Sequence, residues 1–296
     1  MRIAHTFSIA FAMLLLGCGT ESMPEPDSSA EDAPQAEPSA DAAAEPELSA
    51  DAAPEPNDET LCIDMGPQTP RDISNTAGLN PVTFPFAPPA SEMNLCNLHT
   101  HTNAEHRGPE FSVFVSDADD GGYACDAAAD LSEAELAPAE GAYRGVEPGD
   151  TIEVHWVHTT CAAMPGEGLG ACVPDTCSDP LLRVEAQVFL AVNDPDALDF
   201  TAMAYGGNVV DDLHQAQMIP ATTGEPVVFR GSTTGPSYDQ STCSAAQVTW
   251  SVRPQCARLD IDSLYRWAEQ GNVFNETGSH GVRQLVTAPE LLAPIE

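Results

Sequence analysis

The sequence predicts an α+β fold dominated by β-structure: a single disulfide-braced globular domain built around a mixed or antiparallel sheet. Three observations lead there. Several short runs rich in Val, Ile, Phe and Trp alternate as strands do, one segment near the C-terminal end carries a helix signal, and cysteines are spread along a chain broken by Gly and Pro.

Taken in order, Phe111-Ser-Val-Phe-Val115 reads as a strand. Thr151 to His158 alternates clearly, with Ile152, Val154 and Trp156 on one face and Glu153, His155 and Val157 on the other. The longer apolar run Val184 to Val192 is expected at the centre of the sheet. Val227 to Phe229 and Gln247 to Val252 add two strands, the second alternating through Val248, Trp250 and Val252. Asp262-Ser263 is expected to cap a helix across Leu264 to Glu269. The Gly- and Pro-rich stretches 162–180 and 231–237 read as connections, and the Pro-rich residues 61–92 as a wrapping arm.

The first eighteen residues read as an export signal. Arg2 supplies a positive start, and the apolar run Phe7 to Leu16 is too short to span a bilayer. It ends in Leu15-Leu16-Gly17-Cys18, which resembles a bacterial lipoprotein cleavage box. The resemblance implies a lipid on Cys18, and Gly19 implies sorting to the outer membrane. The expected location is therefore exported, lipid-anchored to the bacterial outer membrane on its periplasmic or cell-surface side, touching the membrane through the anchor only. Residues 19–60 hold thirteen acidic residues, seven prolines and no Lys or Arg, and Ser-Ala-Asp-Ala-Ala occurs at both 39–43 and 49–53. Such a segment cannot bury enough apolar surface to offset chain entropy, so a disordered acidic spacer is expected.

Residues 61–296 remain, long enough for one large domain with a full core. Of the 46 acidic residues in the chain, 33 fall here against nine Arg, and there is no Lys anywhere. That field excludes nucleic acid and anionic headgroups as partners. With Cys18 assigned to lipid, the eight others (Cys62, Cys96, Cys125, Cys161, Cys172, Cys177, Cys243 and Cys256) form an even set that reads as up to four disulfides in an exported domain. Neither the pairing nor the oligomeric state is fixed by sequence.

The chemistry lies in the histidines. Asn97-Leu98-His99-Thr100-His101 is followed by Glu105-His106, and Glu153-Val154-His155 comes some fifty residues later. Strand parity points His99 and His101 the same way, and a third imidazole from a neighbouring strand would complete a three-ligand site with one position open, the mark of catalytic zinc. His155 is the expected third ligand, and His106 or His158 the substitutes. Glu153 shares its face with His155 and is placed to accept that ring's spare N–H. His158, at the strand end, is expected to be solvated. Other divalent ions suit the same donors.

At these residues the chain resembles a known family. Asn97-Leu-His-Thr-His-Thr-Asn-Ala-Glu-His106 is similar to the metal-binding segment of delta-class carbonic anhydrases, which pair H-x-H with a nearby E-H. The likeness continues through Gly122-Tyr-Ala-Cys125, Glu153-Val-His-Trp-Val-His158, Gln187-Val-Phe-Leu-Ala-Val-Asn-Asp194, and Gln247-Val-Thr-Trp-Ser-Val252 with Cys256, over roughly residues 94–270. Thr100 stands where the family often has an aromatic and Val157 where it has proline, departures that bear on pocket shape more than on metal binding. The resemblance implies a zinc enzyme that interconverts carbon dioxide and bicarbonate by a metal-bound hydroxide. In it Glu105 would orient the hydroxide, Glu153 would support a ligand, and His106 or His158 would relay protons.

Other patterns overlap the same residues. His99-x-His101-x₃-Glu105 also fits the first motif of cupins, metal-dependent oxygenases and isomerases, although Ser112 replaces the expected glycine and no P-x-G precedes His155. Leu98-His-Thr-His-Thr102 resembles the opening of polymerase-and-histidinol-phosphatase-type hydrolases, whose later Asp-His and Glu-His motifs are missing. A non-catalytic secreted metal-binding module is the remaining alternative.

Overall fold

A computed structural model of the protein describes residues 61–116, 121–235, 237–281 and 285–295. The expected export signal with Cys18, and the acidic spacer over 19–60, lie outside the described residues. The strands are β1 (Asn94–Thr102), β2 (Val113–Ser116), β3 (Gly122–Ala124), β4 (Thr151–Thr159), β5 (Leu182–Val192), β6 (Leu198–Asp199), β7 (Val209–Val210), β8 (Leu213–His214), β9 (Val227–Ser232) and β10 (Gln247–Asp260). Two helices follow strands directly, α1 (Phe200–Met203) and α2 (Ile261–Glu269).

The main sheet is mixed. Its order is β1-β4-β5-β10-β6, with β9 also paired to the first half of β10. The β1–β4 and β4–β5 pairs are antiparallel, whereas β10 is parallel to β5 and β6. The apolar run at Val184–Val192 does lie at the centre, buried on both faces as its composition requires. The late strand is longer than its alternation suggests, because β10 continues past Pro254 through a register shift between Val252 and Cys256. Proline has no N–H to donate, so it is tolerated where the ladder breaks.

Both faces of the sheet carry core. Val157, Val184, Val188, Val248, Trp250 and Val252 pack on one side, while Ile152, Val154, Trp156 and Phe189 pack with α1 and α2 on the other. α2 buries Ile261, Leu264, Tyr265 and Ala268, the i, i+3, i+4, i+7 stripe of an amphipathic helix. Its cap is Asp260, whose carboxylate accepts from the Asp262 N–H, so the cap sits earlier than the expected Asp262-Ser263. Ser263 is drawn inward instead, donating to the Asp260 carbonyl and accepting from the Phe200 N–H at 2.8 Å.

Two devices shape the edge that carries the histidines. β1 ends the sheet, and a bulge between Leu95 and Asn97 inserts Cys96 as an extra residue. Its outer edge is met by chain from elsewhere. The Thr102 N–H donates to the His280 carbonyl at 2.7 Å, and the His280 N–H to the Thr100 carbonyl at 2.8 Å. All eight cysteines pair, as Cys62–Cys243, Cys96–Cys172, Cys125–Cys256 and Cys161–Cys177. Residues 61–92 are extended and bridge to the C-terminal segment at Gln68–Leu292 and Pro70–Val286. Among the described residues no helix is long and apolar enough to cross a membrane.

Candidate metal centre

The register of β1 against β4 builds the site. His99 stands opposite His155 and His101 opposite Glu153, so strand parity sends all four side chains to the same face. The three rings close on one another, with centroids 5.1 Å apart for His99–His101 and His99–His155 and 4.7 Å for His101–His155. One ring nitrogen from each lies within 4.8 Å of the others.

Two of the imidazoles, His99 and His155, are held by an acceptor that fixes the tautomer. His99 Nδ1 lies 2.6 Å from Asn97 Oδ1, and the Asn97 amide is oriented unambiguously because its Nδ2 donates to the Gly166 carbonyl at 3.1 Å. His155 Nε2 donates to Glu153 Oε1 at 3.1 Å. His101 Nδ1 lies 3.2 Å from Glu105 Oε1, close enough for charge interaction but without the alignment of a hydrogen bond. Since these acceptors have no proton to give, the engaged nitrogens carry the hydrogens. His99 Nε2 and His155 Nδ1 are left with bare lone pairs, and both ring nitrogens of His101 are buried with no hydrogen-bond partner among the described residues.

The electrostatics keep His99 and His101 neutral. Burial, reinforced by the neighbouring imidazoles, holds His99 well below the usual histidine range. Burial likewise brings His101 down to about 4, against the opposing pull of Glu105. Three converging imidazoles, with the buried nitrogens of His101 unsatisfied, are the donor set of a catalytic zinc site, so these residues fit the ion.

Glu153 anchors the layer beneath. Its Oε1 also accepts from His106 Nδ1 at 2.8 Å, and its Oε2 from the Glu105 N–H at 2.6 Å. Burial alone would raise this carboxyl, yet the charge and hydrogen bonds of His106 and His155 hold it well below the carboxylate range. His106 answers in kind: burial lowers its pKa, and Glu153 outweighs that and raises it. The pair is a buried ion pair with Trp250 beside both rings, at 4.9 Å from His106 and 5.2 Å from His155.

Several expected roles come out differently. His158 is not solvated at a strand end. It is fully buried between Leu95 and Arg183 on the paired strands, with Nδ1 on the Trp156 carbonyl at 3.1 Å, because β4 is covered on both sides along its whole length. His106 is equally enclosed and committed to Glu153, so neither residue reaches solvent to relay protons, and neither belongs to the three-ring cluster. Glu105 is buried and accepts from Thr234 Oγ1, at 3.3 Å and 3.2 Å to its two oxygens.

Sequence reasoning passed over Thr234, Asn97 and His280. Thr234 sits in the loop after β9 with no periodicity to mark it, whereas Asn97 shares parity with His99 and could have been found that way. His280 lies at the rim, hydrogen-bonded to Glu276 at 2.9 Å and half exposed. The rings and Thr234 open on a cavity of about 190 Å³ that is also lined by the apolar side chains of Val157, Leu182, Val184, Val248 and Leu169.

The family profile described as Delta carbonic anhydrase matches residues 90–263. No curated protein matches the chain. Among solved structures, the complex of alpha-carbonic anhydrase from Thermovibrio ammonificans with the inhibitor sulfanilamide is similar at 12% identity and a TM-score of 0.23, covering 75% of this chain and 87% of that one.

Proposed function

The chain belongs to the delta carbonic anhydrase family, and from that premise we propose that it reversibly hydrates carbon dioxide to bicarbonate on zinc held by His99, His101 and His155. The observation that carries this reading is the convergence of three imidazoles in a cavity that is otherwise lined largely by apolar side chains. A zinc ion bound by three neutral imidazoles keeps its full charge and lowers the pKa of its water to about 7.

The chain's own residues supply the rest. Thr234 commits its hydroxyl proton to Glu105, so its oxygen can only accept a further hydrogen bond. It would therefore be placed to accept the O–H of a hydroxide held in the cavity and so orient it. Carbon dioxide has no donor and no net dipole, so the apolar side chains of Val157, Val184 and Val248 receive it without competing for that hydrogen bond. Glu105, fixed by Thr234 and by its contact with His101, acts through the threonine.

The purified protein should hydrate carbon dioxide in a stopped-flow assay, lose that activity on chelation and regain it with one equivalent of zinc. Stoichiometric zinc without activity would leave a binding module in place of an enzyme. The same proposal places the protein outside the cytoplasm on a lipid attached to Cys18, a reading supported by the Leu15–Cys18 box and by four disulfides. Cys18→Ser should release it from the membrane fraction; continued membrane association without acylation would refute the anchor.

A further inference from the structure

We infer that the disulfide-pinned loop between Cys161 and Cys177 is a working part of the metal site, holding His99 in its ligating orientation through Asn97. The inference rests on the zinc reading above and adds a positioning residue and a support to it.

The connection is continuous. His99 Nδ1 donates to Asn97 Oδ1 at 2.6 Å, and Asn97 Nδ2 donates to the Gly166 carbonyl at 3.1 Å. An amide that is not held at its nitrogen end can rotate and offer His99 either N or O. Only the oxygen accepts, so the Gly166 carbonyl decides which tautomer His99 adopts and which way its Nε2 faces. Gly166 must therefore stay in place, yet it lies in Gly166-Glu167-Gly168-Leu169-Gly170, where every second residue lacks a side chain. Adding a Cβ at Gly168 or Gly170 would meet nothing within 4 Å, so no side chain packs against those two positions.

Cross-links and hydrogen bonds fasten the loop. The Cys161–Cys177 bridge closes the loop at its base, and Cys96–Cys172 ties its far side to β1 at the bulge. The Gly166 N–H donates to the Cys96 carbonyl at 3.0 Å, and Asn94 Nδ2 to the Cys161 carbonyl at 2.9 Å. The loop is thus fastened to the residues immediately before the His99-x-His101 pair, and the bulge at Cys96 is the point where bridge and hydrogen bond coincide. Asn97 is a positioning residue, and the Cys96–Cys172 bridge acts through it.

Zinc affinity, measured by competition with a chromogenic chelator on the full-length protein, tests this as a cycle. Asn97→Ala should weaken zinc binding by about 10- to 100-fold, the usual cost of losing a ligand's orienting partner. Cys96→Ser/Cys172→Ser should also weaken it in the native background, by about tenfold, but should add nothing once Asn97 is alanine, because both changes cut one path. Cys62→Ser/Cys243→Ser should lower stability and leave zinc affinity unchanged. Should the Cys96/Cys172 variant fail to fold, Gly166→Pro keeps every disulfide while removing the N–H that fastens the loop to Cys96. It should weaken zinc binding only while Asn97 is present. Losses that multiply independently, or zinc binding indifferent to the loop, overturn the inference with the zinc reading intact. Absence of zinc from the native protein overturns both.

Discussion

His99 and His155 occupy facing positions of the antiparallel β1–β4 pair, their rings 5.1 Å apart with planes at 82°. A metal site built on such a cross-strand pair inherits its precision from the backbone ladder, since the separation of the two Cα atoms is set by hydrogen bonds along both strands. Two ligands two residues apart on one strand and a third across the ladder need no loop to bring them together. What loops add is orientation, through Asn97 and the Gly166 carbonyl.

The register makes a sharp distinction between two histidines three residues apart. His155→Ala should abolish stoichiometric zinc and carbon dioxide hydration together. His158→Ala should retain both, and lose stability by about 1–3 kcal/mol through the void it leaves in a fully buried position. Metal analysis and stopped-flow assays on the same samples decide it, and zinc lost only from the His158 variant would show that the register argument fails.

Glu153→Gln keeps the shape of the side chain and removes the charge that balances His106. Breaking one partner of a buried pair typically costs about 3–5 kcal/mol, and loss of a ligand's hydrogen-bond acceptor about 10- to 100-fold in metal affinity. Urea denaturation of the metal-free protein isolates the first effect and a zinc titration the second. A variant unchanged in both would mean that Glu153 is not the anchor of this layer.

Thr234→Val should bind zinc as the native protein does while kcat/KM for carbon dioxide falls by about 100-fold, the order of effect seen when a group that orients a reacting atom is lost. Thr234→Ser restores the hydroxyl and should recover most of the rate. Equal losses in both variants would point to packing rather than to the hydroxyl.

Acid should destabilise the fold partly through His158. Burial, with Arg183 adding to it and the Trp156 carbonyl opposing, brings its pKa down to about 4, against 6.5 for the free side chain. The unfolded chain therefore binds a proton that the folded protein refuses. Stability is full above pH 6.5 and declines as pH falls toward 4, by up to about 3 kcal/mol from this group. Urea midpoints at pH 7 and pH 5 should differ less in His158→Gln than in the native protein; identical pH dependence would remove His158 from the account.

Much of the sheet was legible because its strands alternate or run apolar for their whole length, as at 151–158 and 184–192. The second half of β10 was not, since Arg253-Pro254-Gln255 looks like an end until the bulge is seen. Parity puts His99 and His101 on one face and makes His155 the expected third ring, with His106 and His158 as substitutes; that His155 faces His99 comes from the β1–β4 register. The burial of His158 did not follow, because parity names a face without saying what covers it. Thr234 and the Gly166 carbonyl were beyond reach for a further reason: a backbone carbonyl and a loop hydroxyl leave no periodic trace, and only the disulfide pairing reveals that residues 161–177 return to β1.

β1 carries two of the three ligands and is also a border strand of the sheet. An open border presents unpaired peptide groups to any passing chain, including another copy of the same protein. Here the border is sealed at one end by Gly166 on Cys96 and at the other by His280 between Thr100 and Thr102. The segments that complete the pocket are thus the segments that keep the strand from templating self-association. Protein that has lost the Cys96–Cys172 bridge should betray itself by aggregating through β1 before the rest of the sheet has melted.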